Sequence, residues 1–202
     1  MHEALLARAA RPAPAIVLGL LMRPFSIGHH VLLIREGNPL AESNDASAVK
    51  VAEAALICSQ SWEENARMPF DPLIGFKLWI WKRRVKAKIG NMAAELLNFI
   101  QYRNEGSLEF PISEWPWPGH TKDATSRPPG TPFAIRLQQF LMINCGKSES
   151  QAWDYPLGLA KMRWQAYWED QGGLHVHNYY DQQQDDAIAA MEAKGKEALT
   201  NA

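Results

Sequence analysis

Residues 148–173, SESQAWDYPLGLAKMRWQAYWEDQGG, decide the fold class. Ser148 followed by Gln151 is the pairing that satisfies orphan amides reciprocally at a helix start. The short helix it opens ends near Asp154, because Pro156 drives Tyr155 out of the helical region. Pro156 then opens a second helix, in which Leu157, Ala160, Trp164 and Tyr167 form a buried stripe with Trp153 and Trp168 beside it, and Gly172-Gly173 stop it. A cap, a proline break and an amphipathic aromatic helix make an α reading. No catalytic motif falls in this stretch.

The flanking segments read the same way. Upstream, Phe133, Leu137, Phe140, Leu141 and Asn144 recur at helical spacing, and Gly146 is a stop. Leu174–His177 reads as a very short strand or a turn, and no other β pattern is expected. Near the N-terminus, Ser26 can cap a helix through Glu36, with Gly37 ending it. Residues 38–46 read as a polar linker, and a helix is expected from about Ser47 to Met68, with Val51, Ala55, Cys58 and Trp62 on one face. Asp71-Pro72 is a helix start. From there Leu78, Trp81, Val85, Ile89, Met92, Leu96 and Phe99 form a stripe that is either one long helix or two hinged at Gly90-Asn91.

Residues 107–131 contain five prolines and two glycines and cannot be helical. The expectation is an all-α protein of two helical halves, 1–106 and 132–177, joined by a Pro/Trp-rich loop over 107–131 and followed by a polar, acidic helix or tail over 178–202.

Bulk composition narrows the function classes. The chain has 202 residues, enough for one domain with a core, and its net charge of −1 gives no global drive toward nucleic acid or anionic membrane. The ten-residue apolar run 13–22 is too short to span a bilayer and lacks a small-residue cleavage site, so a cytoplasmic protein with no membrane contact is expected. Cys58 and Cys145 sit in apolar helical patterns and read as buried free thiols of a reducing compartment. No phosphate loop, nucleophile elbow or dinucleotide fingerprint is present, so neither catalytic residues nor a cofactor are expected.

Three residue sets are candidates for binding. His29-His30 and His175/His177 are the histidine clusters, but neither has the spacing or the further ligands of a metal site, so packing or surface histidines are the reading. Lys82, Arg83, Arg84, Lys86 and Lys88 interleave with Trp79 and Trp81, as in nucleic-acid-binding patches. The same residues also read as the solvated face of an amphipathic helix, and near-zero net charge favours that. Finally, the chain carries eight tryptophans, more than a core of this size absorbs. Trp153, Trp164, Tyr167, Trp168, Trp115 and Trp117 are therefore expected to build a partner-binding surface, with Trp164 and Trp168, one helical turn apart, as its anchors.

Residues 23–33 (RPFSIGHHVLL), 55–64 (ALICSQSWEE) and 148–160 (SESQAWDYPLGLA) together resemble small proteins encoded in phage and prophage tail modules, some of which look like tail assembly chaperones. The resemblance covers about half of the chain. It implies a non-catalytic protein that acts in the bacterial cytoplasm and covers the apolar stripes of a long helical tape-measure protein, or another tail protein, before the tail tube encloses it. A virion or neck subunit that assembles into homo-oligomers, a DNA-packaging or regulatory protein using the basic helix 77–88 and, last, a metal-dependent enzyme built on His29, His30, His175 and His177 are the alternatives.

Overall fold

Ser26 starts the first long helix, α1 (Ile27–Arg35), as expected. Its hydroxyl accepts the His29 N–H at 3.2 Å, and His29 Nδ1 accepts the Ser26 N–H at 3.2 Å. An imidazole thus stands where a capping box usually has Glu or Gln. Gly37, at φ +58, follows the helix end. The computed structural model describes residues 6–9, 13–70, 74–108, 110, 112–113, 132–171 and 175–176, and its architecture is all-α with two minor two-stranded pairings.

Ahead of α1 the apolar run that carried no β expectation forms a hairpin, β1 (Ile16–Val17) and β2 (Leu20–Leu21), with Ile16 opposite Leu21 and Val17 opposite Leu20. Its two-residue turn needs two positive φ angles, supplied by Leu18 (51°) and Gly19 (78°). A leucine pays a steric cost there. Leu18 is 1% exposed, and its N–H is accepted at 2.7 Å by Glu95 Oε2, a carboxylate that is itself buried.

The single helix expected over 47–68 is two: α2 (Ala48–Cys58) and α3 (Trp62–Arg67). Ser61 breaks it with a second capping box, Ser61 Oγ accepting the Glu64 N–H and Glu64 Oε2 accepting the Ser61 N–H. Side chains brace the carbonyls around the break: Asn65 Nδ2 donates to Ile57 and Ser61, each at 3.0 Å, and His29 Nε2 lies 2.7 Å from the Gln60 carbonyl. Because Nδ1 already accepts, Nε2 carries the proton.

The stripe that follows resolves to the hinged alternative. Helix α4 (Ile74–Lys88) passes through a 3₁₀ turn at Ile89–Asn91 into α5 (Met92–Gly106). Gly90 is exposed with nothing within 4 Å of where a Cβ would sit, so the glycine marks the hinge without any packing demand. Near the end of α5, the buried Arg103 reaches into the polar linker 38–46, donating to the Leu40 carbonyl at 3.1 Å, the Ser43 carbonyl at 2.7 Å and Asn44 Oδ1 at 2.6 Å.

Helix α6 (Phe133–Cys145) ends on Gly146 at φ +62, α7 (Glu149–Trp153) starts on the Ser148/Gln151 capping box, and α8 (Leu157–Asp170) starts on Pro156. The short β piece is real: β4 (His175–Val176) pairs antiparallel with β3 (Ile112–Ser113), inside the expected linker. The start of that linker is also fastened to α8, since the Gln165 side chain accepts the Phe110 N–H at 3.1 Å and donates to its carbonyl at 3.2 Å. Residues 114–131 and the 178–202 tail lie outside the described residues.

The two halves share one hydrophobic core, with Ile27, Leu33, Ala54 and Phe99 from the first and Leu137, Leu141, Trp153 and Leu157 from the second. They are also joined through the backbone. The Ile27 N–H donates to the Tyr155 carbonyl at 3.2 Å and the Leu157 N–H to the Phe25 carbonyl at 2.8 Å, a bridge between Ser26 and Pro156. Close approach requires glycine here. A Cβ on Gly158 would sit 2.6 Å from the Leu108 carbonyl oxygen and 3.1 Å from that of Gly106, both backbone atoms that cannot swing aside. Helix propensity alone favours alanine by about 1 kcal/mol. Gly158→Ala is nevertheless expected to destabilise by about 1–3 kcal/mol, as overpacking does; urea unfolding that shows a gain in stability would contradict this packing.

Candidate functional site

The six rings expected to bind a partner separate into three groups. Trp153 is a core ring, 6% exposed. It stacks on Trp62 with centroids 4.7 Å apart and 19° between planes, above Gly28, where a Cβ would meet Trp62 Cε3 at 2.8 Å. The placement is fixed by Asp154, whose Oδ1 accepts the Trp62 N–H at 2.7 Å across the two halves, and by Ser150, whose hydroxyl donates to Glu63 at 2.7 Å. Trp115 and Trp117 lie outside the described residues.

Trp164, Tyr167 and Trp168 remain, and the structure brings them together. Phe140, Tyr167, Trp168, Trp164 and Phe133 form a chain of rings with successive centroids 5.3, 5.6, 5.9 and 5.3 Å apart, tilted or edge-to-face. These are the geometries that the aromatic quadrupole favours. The chain starts in the core at Phe140 and surfaces along α8 and the first turn of α6: Trp168 is 40% exposed, Tyr167 38% and Phe133 36%, while Trp164 is half-buried against the core. Tyr167 was expected on the buried stripe. Met162 and Gln165 take that place, because Gln165 must face inward to hold both polar groups of Phe110. Phe133, read from the sequence only as part of a helical spacing with Leu137 and Phe140, belongs to the exposed end of the ring chain. Its position in the first turn, ahead of the packed Leu137, was the signal available.

The basic cluster is exposed on α4. Lys82, Arg83, Lys86 and Lys88 all face solvent, the Arg83 guanidinium lies 4.7 Å over the ring of the half-exposed Trp79, and Lys88 reaches Glu95 at 4.0 Å. Arg84 belongs to the same helix, and its side chain is outside the described residues. On the opposite face Trp81 is buried.

The histidines do not converge. His29 is sealed in the core by Ser26 and Gln60, as described above; His175 stands in β4, and His177 is outside the described residues. Among the described residues no group of three or more His, Cys, Asp or Glu side chains is placed to hold a metal ion. Cys58 is a buried free thiol whose pKa burial pushes far up, and Cys145 is a half-buried free thiol. Among the described residues two of the surface clefts have substantial volume. One, of about 290 Å³, is lined by apolar residues that include Leu32, Leu56 and Met68 and by the polar Arg35, Glu53 and Asn65. The other, of about 250 Å³, lies between the residues leading into β1 and α5, lined by Pro14, Ile16, Gln101, Tyr102 and Glu105 among others. Neither contains a nucleophile beside a base, the geometry that covalent catalysis requires. No described helix is long and apolar enough to cross a membrane. Comparison with known protein families, with curated proteins and with solved structures returns no match for this chain.

Burial holds the His29 imidazole below its ordinary pKa, outweighing the Gln60 carbonyl and the Asp154 charge, which act in the other direction. Burial also lowers His30, against the pull of Glu42. Both folded-state values are depressed, so the unfolded chain binds these protons more tightly. Their contribution to stability is complete above the ordinary histidine range and is lost as pH falls below about 6.5. Glu64, lowered by the Ser61 hydrogen bonds, acts only in the lower carboxylate range. Urea unfolding between pH 7.5 and 5.5 should therefore show stability falling by up to about 1.4 kcal/mol per pH unit for each histidine. His29→Gln, which retains a capping-box side chain, should remove its share of that slope; parallel pH profiles for the two proteins would exclude His29 as a titrating core group.

Proposed function

We propose that this chain is a non-catalytic protein-binding protein of the tail-assembly kind, which uses its surfaced ring chain to cover a long helical partner such as a tape-measure protein in the bacterial cytoplasm. The observation that carries the reading is the continuity of Phe140–Tyr167–Trp168–Trp164–Phe133 from core to solvent. A set of indole and phenyl rings held rigid by one another and rooted in the core loses little side-chain entropy on binding, which is what makes aromatic residues anchors at interfaces. An amphipathic helix presents apolar side chains at three- and four-residue spacing, and the row of exposed rings offers them an apolar surface to lie against. The resemblance of residues 23–33, 55–64 and 148–160 to tail-module proteins supplies the class of partner. It falls largely on residues that build the scaffold, including Phe25, Gly28, Trp62, Trp153 and Pro156.

Trp164 packs on the core as well as on its neighbours, so Trp164→Ala is expected to lower stability and binding together. Trp168 separates the two. Titrating the protein with an amphipathic helical peptide bearing a leucine stripe should blue-shift its tryptophan emission. Trp168→Ala and Tyr167→Ala should each weaken that binding by about tenfold or more, in the range of interface hot spots, while the circular dichroism spectrum stays that of wild type and each lost ring contact lowers stability by only about 0.5–1.5 kcal/mol. An unchanged affinity in both variants would sink the proposal. A closed homo-oligomer by light scattering, with Trp168 protected from quenching, would favour the structural-subunit alternative.

A further inference from the structure

We propose that α4 presents a binding stripe for single-stranded nucleic acid, independent of the ring chain on α8. The sequence of α4, IGFKLWIWKRRVKAK, has six basic residues and no acidic one, in a chain whose net charge is −1, so the rest of the chain is net acidic. Positive charge is concentrated on this one helix. Trp79, Lys82, Arg83 and Lys86 follow the i, i+3, i+4, i+7 spacing of a single helix face, and all four are exposed. Among the described residues none of Lys82, Arg83 and Lys86 pairs with a carboxylate, whereas Lys88, off this stripe, has Glu95 at 4.0 Å. The stripe from Trp79 to Lys86 runs about 10 Å along the helix axis at 1.5 Å per residue. That is the axial rise of about three phosphates of a nucleic-acid strand.

The ring distinguishes nucleic acid from other polyanions. Trp79 is 52% exposed, and the Arg83 guanidinium lies 4.7 Å from the centre of its ring, which places an aromatic surface and a cation together at the head of the stripe. Unpaired bases stack on aromatic rings and on arginine planes, while lysines along the same track take the phosphates. An acidic polypeptide would use the charges but has no need of the ring. An anionic membrane would need the apolar face of the helix, and that face is spent: Trp81 is buried and Val85 packs on the core.

The test is fluorescence anisotropy of a labelled oligothymidylate with the full chain, with a polyglutamate peptide and phosphatidylserine-containing vesicles as the other polyanions. Affinity for the oligothymidylate should fall with salt, with a log–log slope of about −2 for three phosphate contacts on a single strand. The triple variant Lys82→Gln/Arg83→Gln/Lys86→Gln should abolish that salt dependence, and Trp79→Ala should weaken binding by about tenfold, the loss of one stacked base. All four side chains are exposed, so both variants should keep the wild-type circular dichroism spectrum and the peptide binding assigned to α8. Three outcomes overturn the proposal: no salt-dependent binding, an unchanged affinity in Trp79→Ala, or capture by polyglutamate or vesicles as tight as by the oligothymidylate.

Discussion

Two backbone hydrogen bonds, exchanged between Phe25–Ile27 and Tyr155–Leu157, are the constraint on which the rest of the molecule depends. They place the starts of α1 and α8 side by side, although those helices are far apart in the chain. Everything around them is arranged so that the two backbones can meet. Phe25 is 1% exposed beneath the crossing, with Tyr102 edge-on at 5.8 Å, and glycines at 28, 106 and 158 stand where a side chain would collide with Trp62, with the Cβ of Phe25 or with a backbone carbonyl. Pro156 has no N–H to donate, and its fixed φ starts a helix and ends the preceding one at the same point. Asp154 and Ser150 complete the joint by reaching Trp62 and Glu63 at the start of α3.

That joint explains how the tryptophans divide. Trp62 and Trp153 are brought face to face by it and become a structural stack at the boundary between the halves. In the second half of α8, Tyr167 and Trp168 are only partly covered, and their rings come to the surface while Tyr167 stays in contact with the buried Phe140 of α6. The same logic governs α4. Its apolar face is used against the core through Trp81 and Val85, and Trp79 and the cations beside it lie on the exposed side of the helix. The described residues thus carry two exposed aromatic surfaces of different chemistry, one apolar and one cationic.

Much of the polar interior serves connections rather than chemistry. Arg103 gathers the carbonyls of the 38–46 segment, Glu95 holds the turn at Leu18, Gln165 holds Phe110, and His29 bridges two helix ends. Each satisfies backbone groups that would otherwise be buried without a partner, at a cost of about 1–3 kcal/mol apiece. These are buried polar side chains with assigned structural tasks, and none of them faces either cleft with a free catalytic atom.

The sequence by itself determined the helical class, most helix ends and the proline break, because those depend on interactions within a turn: Ser26, Ser148, Gly37, Gly146 and Pro156 act on their neighbours alone. The break at Ser61 was equally local, since Ser61 and Glu64 spell a capping box, but the apolar stripe running across it masked the signal. Tertiary structure decided what periodicity cannot encode. It turned 13–22 into a hairpin because a distant Glu95 accepts the Leu18 N–H, and it turned Tyr167 outward because a distant Phe110 claims Gln165. It also sorted otherwise similar tryptophans into a core stack and surface rings. A hydrophobic pattern says that a side chain prefers burial, whereas which of several rings is covered depends on which distant backbone arrives to cover it.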